Sequence, residues 1–416
     1  MNDGLLFLAH RLPFPPHKGD KIRSFHLLRH LAQRYRIYLG AFIDDADDWQ
    51  YADALAPYCA EIKLLALHPR RRKLRSLLGL ITGEALTLPY YRNAALSRWA
   101  AHLAENGSVT RGLAFSSAMG QFMPQGLART VMDMVDVDSD KWTQYAPSQP
   151  WPLSWLYARE GRKLSAWEAR VASQFDATLL VSGTEAELLQ QRVPLAQAKI
   201  GAFENGVDTV YFSPEHNYIN PYEAGTRVIV FTGAMDYWPN VDAVCWFTKQ
   251  IFPAIRQQVP DVQFAIVGSR PASEVQKLAQ QPGLMVTGNV PDVRPYLAYA
   301  ACAVAPLRIA RGVQNKVLEA MAMARTVVVT PQAAEGIRAR AGLDFELAQD
   351  GDRFAAAVLH HLTDAEPAMG QAARACILAN YDWQRNLSAV DDCFEPAGDL
   401  FTRCENSCDT LEIRPA

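Results

Sequence analysis

Residues 303–337, AVAPLRIARGVQNKVLEAMAMARTVVVTPQAAEGI, constrain the fold more than any other stretch of the chain. They read strand, loop, helix, strand. Residues 303–306 form a short apolar strand, and 307–313 form a loop carrying Arg308, Arg311 and Gly312. Residues 314–324 present Val317, Leu318, Met321 and Met323 at a spacing that buries one helical face. Residues 326–330 are mostly β-branched, as suits a strand covered on both faces of a parallel sheet. In an open α/β sheet the start of such a helix faces the crevice beyond the strand ends, where ligands bind. The N–H groups of Asn315 and Lys316 fall in the first helical turn, whose amides lack intrahelical partners and attract anions. Arg308, Arg311 and Lys316 add positive charge. Glu319, one turn on, offers a carboxylate to hydroxyl groups. Phosphate at the helix end and a sugar hydroxyl at the carboxylate suit a nucleotide-diphosphate sugar.

The same alternation runs through the whole chain. Strands are expected at 4–10, 36–43, 61–67, 111–116, 129–135, 177–181 and 199–203, and again at 227–232, 262–267, 284–287, 303–306, 326–330 and 345–349, with helices between them. This is the pattern of two doubly wound parallel-sheet, Rossmann-like domains of the α/β class. A length of 416 residues also calls for two cores. The first domain is expected over 1–205. A polar linker with two prolines and a glycine follows at 206–226. The second domain spans 227–380, a final helix spans 381–395, and 396–416, polar and without periodicity, are expected to be a disordered tail.

The formal net charge of −3 argues against bulk electrostatic binding of nucleic acid. No apolar run approaches the length of a membrane span. The opening MNDGLLFLAH has no basic region and leads straight into a strand, so no signal peptide is expected. Seven cysteines, an odd number, read as free thiols of a reducing cytoplasm. Cys404 and Cys408 lack the two further ligands that a metal pair in the tail would need.

Several features carry two readings. Lys18-Gly19-Asp20-Lys21 follows the first strand, where one glycine lets backbone approach a ligand closely, though the segment also suits an ordinary turn. Residues 69–81 combine Arg70, Arg71, Arg72, Lys73 and Arg75 with Leu74, Leu77, Leu78 and Ile81. Such a segment lies on an anionic membrane face or forms a solvated helix. Asp133, Asp136, Asp138 and Asp140 fall at a strand end and the loop after it, as hard-cation ligands or as turn and capping residues. His26 and His30 stand four apart on a helix with no carboxylate partner evident.

Taken in order, Phe231-Thr-Gly-Ala-Met, Pro239-Asn240-Val-Asp242, Val290-Pro-Asp-Val-Arg-Pro-Tyr-Leu297, Lys316-Val-Leu-Glu-Ala-Met-Ala322 and Glu335-Gly336 resemble the GT-B glycosyltransferases, specifically glycosyltransferase family 4. The resemblance covers about residues 4–394. The N-terminal half is similar to the sugar transferases associated with PEP-CTERM/exosortase exopolysaccharide systems. It carries His10-Arg-Leu-Pro-Phe-Pro-Pro, Lys18-Gly-Asp-Lys-Ile-Arg-Ser-Phe25, Asp136-Val-Asp-Ser-Asp-Lys-Trp142 and Tyr145.

The resemblance implies two domains facing across a cleft, with a nucleotide-sugar donor bound mainly by the second and the acceptor bound mainly by the first. It also implies retention of anomeric configuration without a metal or other cofactor. Glu319 matches the second glutamate of the family's acidic motif, which bonds the donor ribose; Arg311 stands where the first glutamate is expected. The arginine and lysine that grip the diphosphate after the first strand of the second domain have no match near Met235 and Pro239-Asn240, so Lys316 with Arg308 or Arg311 takes that role. Asp133 stands near the place of the family's strand-end histidine.

The catalytic candidates are therefore Asp133, Lys316 and Glu319. The donor-binding candidates are Gly19, Gly233, Val290, Pro291, Arg308, Arg311, Gly312, Gln314, Asn315, Glu335 and Gly336. The acceptor-side candidates are Lys18, Lys21, Arg23, Asp136 and Lys141. The expected activity is transfer of a sugar to a saccharide or polyprenyl-linked acceptor in exopolysaccharide biosynthesis, in the cytoplasm, with peripheral contact to the inner membrane face through 69–81. A nucleotide-sugar epimerase of the same fold and an inactive nucleotide-sugar-binding subunit are the alternatives.

Overall fold

The computed structural model describes residues 3–16, 19–310, 312–363 and 367–395. The expected tail with Cys404 and Cys408, and the candidates Lys18 and Arg311, lie outside the described residues. The chain divides into two compact units. One runs to Glu204 and takes up the segment from Gln384; the other is Asn205–Trp383.

Among the described residues the first unit holds a seven-stranded parallel sheet in the order β3-β2-β1-β4-β5-β6-β7. The strands are β1 Gly4–Ala9, β2 Arg36–Ile43, β3 Cys59–Ala66, β4 Arg111–Phe115, β5 Arg129–Val135, β6 Ala177–Leu180 and β7 Ile200–Ala202. Every residue of β1 is buried, as a central strand with helices on both faces requires. The helix Trp383–Asp392 runs into this unit from Gln384. His30 meets Asp391 at 3.0 Å, Arg34 meets the same carboxylate at 3.1 Å, and Nε of Arg129 donates to the Cys393 carbonyl at 2.8 Å. His30 thus has a carboxylate partner, supplied by a helix 361 positions further along the chain.

The second unit holds a six-stranded parallel sheet ordered β10-β9-β8-β11-β12-β13. Its strands are β8 Arg227–Thr232, β9 Val262–Val267, β10 Leu284–Gly288, β11 Cys302–Ala305, β12 Val327–Val329 and β13 Glu346–Leu347. The expected helix over 241–258 is broken into Trp238–Trp246, a π-helical turn Phe247–Ile251 and Phe252–Gln258. The stretch 206–226, read as a linker, belongs to this unit. The Val207 amide bonds the Tyr381 carbonyl at 2.8 Å, and the Tyr222 hydroxyl donates to the Tyr296 carbonyl at 2.8 Å. Arg294 lies 3.6 Å over the Tyr211 ring and donates to its carbonyl at 3.0 Å. Polar composition predicts a linker, but aromatic rings and Arg294 pin the segment down.

Candidate active site

In the second sheet β8 and β11 are neighbours, yet the chain passes outward through β9 and β10 before returning to β11. The ends of β8 and β11 flank this reversal, where an open α/β sheet leaves a crevice for a ligand. Gly233 follows β8 with φ 155°, and Gly268 follows β9 with φ 154°. A methyl group at Gly233 would lie 2.8 Å from Nδ2 of Asn240 and 3.4 Å from Nζ of Lys316; one at Gly268 would stand 1.7 Å from the Gly233 carbonyl oxygen. Only glycine fits both places, so bare backbone lines the crevice.

Asn240 joins these pieces. It is buried in the first turn of the helix Trp238–Trp246. Its Nδ2 donates to the Ala234 carbonyl at 2.8 Å, and its Oδ1 accepts from Nζ of Lys316. The Lys316 ammonium also lies 4.5 Å from the centre of the Phe231 ring, a favourable cation–π distance. Lys316 itself sits in the first turn of the helix Asn315–Ala322. The preceding Gln314 makes no cap hydrogen bond, and its side-chain amide turns back to the Gly312 carbonyl at 2.9 Å. With no cap bond from Gln314, the first-turn N–H groups remain for an incoming anion. The Asn315 Oδ1 is buried without a hydrogen-bond partner, a cost normally kept only where something else benefits.

Glu319 stands one turn behind Lys316. Burial lowers the Lys316 ammonium to about 7, against the pull of Glu319. Burial raises the Glu319 carboxyl to about 7, against the pull of Lys316. Each group disfavours its charged form, and an anionic ligand would restore the charge on the lysine. Burial and Asp292 push the Tyr211 phenol up, and the charge of Glu319 adds to this. The segment 206–226 therefore contributes a ring within reach of the Glu319 charge.

Glu335 and Gly336 are exposed in the turn after the short helix Pro331–Ala334. A methyl at Gly336 would touch the Val313 side chain at 3.4 Å, so this turn lies against the loop entering the Asn315 helix. Val290 and Pro291 follow the edge strand β10, at the same end of the sheet. Arg308 departs from expectation. Its Nε bonds Asp242 at 3.0 Å, its Nη2 bonds the same carboxylate, and its guanidinium lies 5.7 Å from the Trp246 ring. Its charge is matched by Asp242, so it braces the loop after β11 rather than waiting for phosphate.

In the first unit the corresponding reversal lies between β1 and β4. Gly19 opens the helix Gly19–Leu31 there and is exposed. Asp133 is no catalytic residue, because it is wholly buried. Arg23, also wholly buried, grips it with Nε at 2.8 Å and Nη2 at 3.1 Å, and donates from Nη1 to the Phe203 carbonyl at 2.9 Å. Arg23 therefore leaves the acceptor-side set as well: it ties the first helix to the ends of β5 and β7. Lys21 leaves it too, since it is buried against Asp48 at 2.6 Å. Lys141 and Asp136 stay partly exposed and bind one another at 2.6 Å.

The four aspartates are thus dispersed, to Arg23, to Lys141 for Asp136 and Asp138, and to Arg192 for Asp140. Among the described residues no three His, Cys, Asp or Glu side chains are grouped to hold a metal ion. Two residues that lie within the quoted motifs but are not among the site candidates do meet at this edge. His10, just past β1, stacks on Phe115 at 5.8 Å and places Nε2 3.3 Å from Asp20. Burial works against the Asp20 charge, but His10 and Arg11 hold its carboxyl well below the usual range. Ser116 and Val135, at the next two strand ends, have φ of 77° and 69°, strain of the kind that clusters at functional edges.

Residues 226–364 match the family described as glycosyl transferases group 1. No curated protein sequence matches the chain. Among solved structures it is similar to sucrose-phosphate synthase from Thermosynechococcus elongatus (TM-score 0.67, 16% identity, 94% of this chain and 98% of that one). It is similar to WaaG, a glycosyltransferase of lipopolysaccharide biosynthesis (0.64, 15%, 94% and 100%). It is similar also to Anabaena HepE in complex with UDP and glucose (0.62, 12%, 94% and 98%). Two parallel-sheet units and this likeness define the GT-B fold. Within that fold, the group 1 match over the unit that carries Lys316 and Glu319 supports a glycosyltransferase.

Proposed function

We propose that the chain moves a sugar from a nucleotide-diphosphate donor, held by the second unit, to a saccharide or lipid-linked saccharide held by the first, with retention and without a metal, in building an exopolysaccharide. The carrying observation is the bond from Lys316 to Asn240 beside the bare backbone of Gly233, at an uncapped helix N-terminus with Glu319 one turn behind. Breaking a sugar–phosphate bond builds negative charge on the leaving diphosphate. Lys316 and the first-turn amides are preorganised to take it up, which is the largest common source of catalytic power. Glu319 bonds a donor hydroxyl. UDP is the favoured nucleotide because it occupies the similar structure of HepE. Contact of 69–81 with an anionic membrane face would bring a lipid-linked acceptor to the first unit.

The test is thermal shift with a panel of UDP-sugars, followed by transfer assays with chelator present and product anomers read by NMR. Lys316→Met should lower turnover by about 100- to 1000-fold, the usual effect of deleting one such donor. Conversion of the donor with no acceptor present would replace this reading with an epimerase. Normal turnover by both Lys316→Met and Glu319→Gln would overturn the site.

A further inference from the structure

Several of the first unit's exposed large apolar side chains fall in one region of its chain. The basic helix Pro69–Ser76 and the short helix Leu78–Thr82 follow one another. From Pro69 to Gly83 there are five basic residues and no acid. Arg70, Arg71, Lys73 and Arg75 are exposed, while Arg72 is tied to the Arg92 carbonyl at 2.7 Å. Beside them Leu74 is 72% exposed and Ile81 85% exposed, with Leu77, Leu78 and Leu80 also open.

This hairpin is fixed in place, so its exposure is not that of a loose loop. Arg159 and Glu160, both buried in the long helix Leu153–Gln174, anchor it. Arg159 donates to the Gly79 carbonyl at 2.6 Å and to the Glu84 carbonyl at 3.1 Å. Glu160 accepts from the amides of Leu86 at 2.6 Å and Thr87 at 3.0 Å.

The anchoring helix brings a second apolar group. Trp155 lies four residues before Arg159, on the same helical face and one turn away. Trp155 is 53% exposed and Trp151 is 82% exposed, and Tyr145 and Leu153 at the same corner are open too. On the other side of Arg159, Lys163 is exposed, and a methyl built on Gly83 would lie 4.0 Å from its Nζ. Aliphatic tips, two indoles and a row of exposed cations therefore share one surface.

We infer that this surface, and not residues 69–81 alone, seats the first unit on an anionic lipid bilayer, a step that rests on the membrane contact proposed above. Charge decides the partner. A self-complementary contact between two copies would set the row of cations against itself, whereas an anionic headgroup layer neutralises it. Indoles favour the headgroup–acyl boundary, where an apolar body and a polar N–H are both served. Among the described residues no helix is long and apolar enough to cross a membrane, so the fit is to lie in the interface.

The experiment floats the full chain with phosphatidylcholine vesicles, with and without phosphatidylglycerol, and repeats this with brominated lipid while reading tryptophan fluorescence. The expected result is flotation with anionic vesicles only, lost in high salt, and quenching by the brominated lipid. Trp151→Phe with Trp155→Phe should abolish most quenching. Trp151→Ser with Trp155→Ser should weaken partitioning by about tenfold, with unchanged melting and an unchanged shift by UDP-sugar. Flotation that depends on the arginines but shows no quenching and no loss in the serine variant would overturn the aromatic corner and leave the basic contact standing. No flotation, with the UDP-sugar shift intact, would overturn the whole surface and leave the donor site untouched. Self-association that the serine variant abolishes, without flotation, would overturn the bilayer in favour of a second copy.

Discussion

Asp133→Asn separates a structural role from a catalytic one. The substitution keeps the volume of the side chain and removes the charge that the buried Arg23 guanidinium meets through both Nε and Nη2, while its bonds to the Phe203 and Leu180 carbonyls remain. Breaking one side of a buried ion pair costs about 3–5 kcal/mol, because the surviving ion loses the opposite charge it was buried against. With a urea slope of about 3 kcal/mol per molar, the midpoint of the first unit falls by roughly 1–1.7 M. The assay is urea unfolding followed by intrinsic fluorescence, with UDP-sugar binding measured on the same samples below the transition. Donor affinity should hold, since the site of Lys316 lies in the other unit. Replacing both partners, Arg23→Met with Asp133→Leu, should restore part of the lost stability, because no ion is then left buried alone. A variant Asp133→Asn that unfolds at the wild-type urea concentration but has lost turnover would refute this reasoning and return Asp133 to the chemistry.

Two further outcomes follow from the donor site. Lys316 falls from 10.5 to about 7 in the folded chain, so between those values the unfolded chain binds more protons and stability rises with pH; Glu319 rises from 4.5 to about 7, so across that lower window the folded chain holds the extra proton and stability falls with pH. The pair therefore contributes least near neutrality. Diphosphate binding above pH 7 should take up a proton onto Lys316, which calorimetry in buffers of different ionisation enthalpy detects; proton release there would contradict the assignment. Gly233→Ala sets a side chain at φ 155° and 2.8 Å from the Asn240 amide. It should cost about 1–3 kcal/mol of stability and weaken donor binding, and wild-type affinity in this variant would show that the bare backbone plays no part.

What could be seen in the sequence and what could not divide along one physical line. The helix after β11, the place of Asn315 and Lys316 in its first turn and the Lys316–Glu319 spacing were legible because they are local: a period of 3.6, a buried strand on either side, and two residues three apart. The alternation of strand and helix fixed two parallel sheets for the same reason. Asn240 was not legible as the partner of Lys316, because 76 residues separate them and only the sheet order brings β8 beside β11.

The aspartate run shows the limit most clearly. The four acids fall between the end of β5 and the first turn of the helix Asp138–Tyr145, where fold-level reasoning expects ligand contact. Asp133 is the last residue of β5 in regular register with both neighbouring strands; the pairing with β6 shifts after it, and Val135 takes a positive φ. A β-branched residue in that conformation is an outlier that no propensity predicts. Asp133, within the regular strand, is buried and must find a cation, and Arg23, 110 residues earlier, is the cation that the first helix delivers. Sequence position alone therefore names the edge where chemistry occurs; the long-range pairing of charges decides which acids remain free to take part in it.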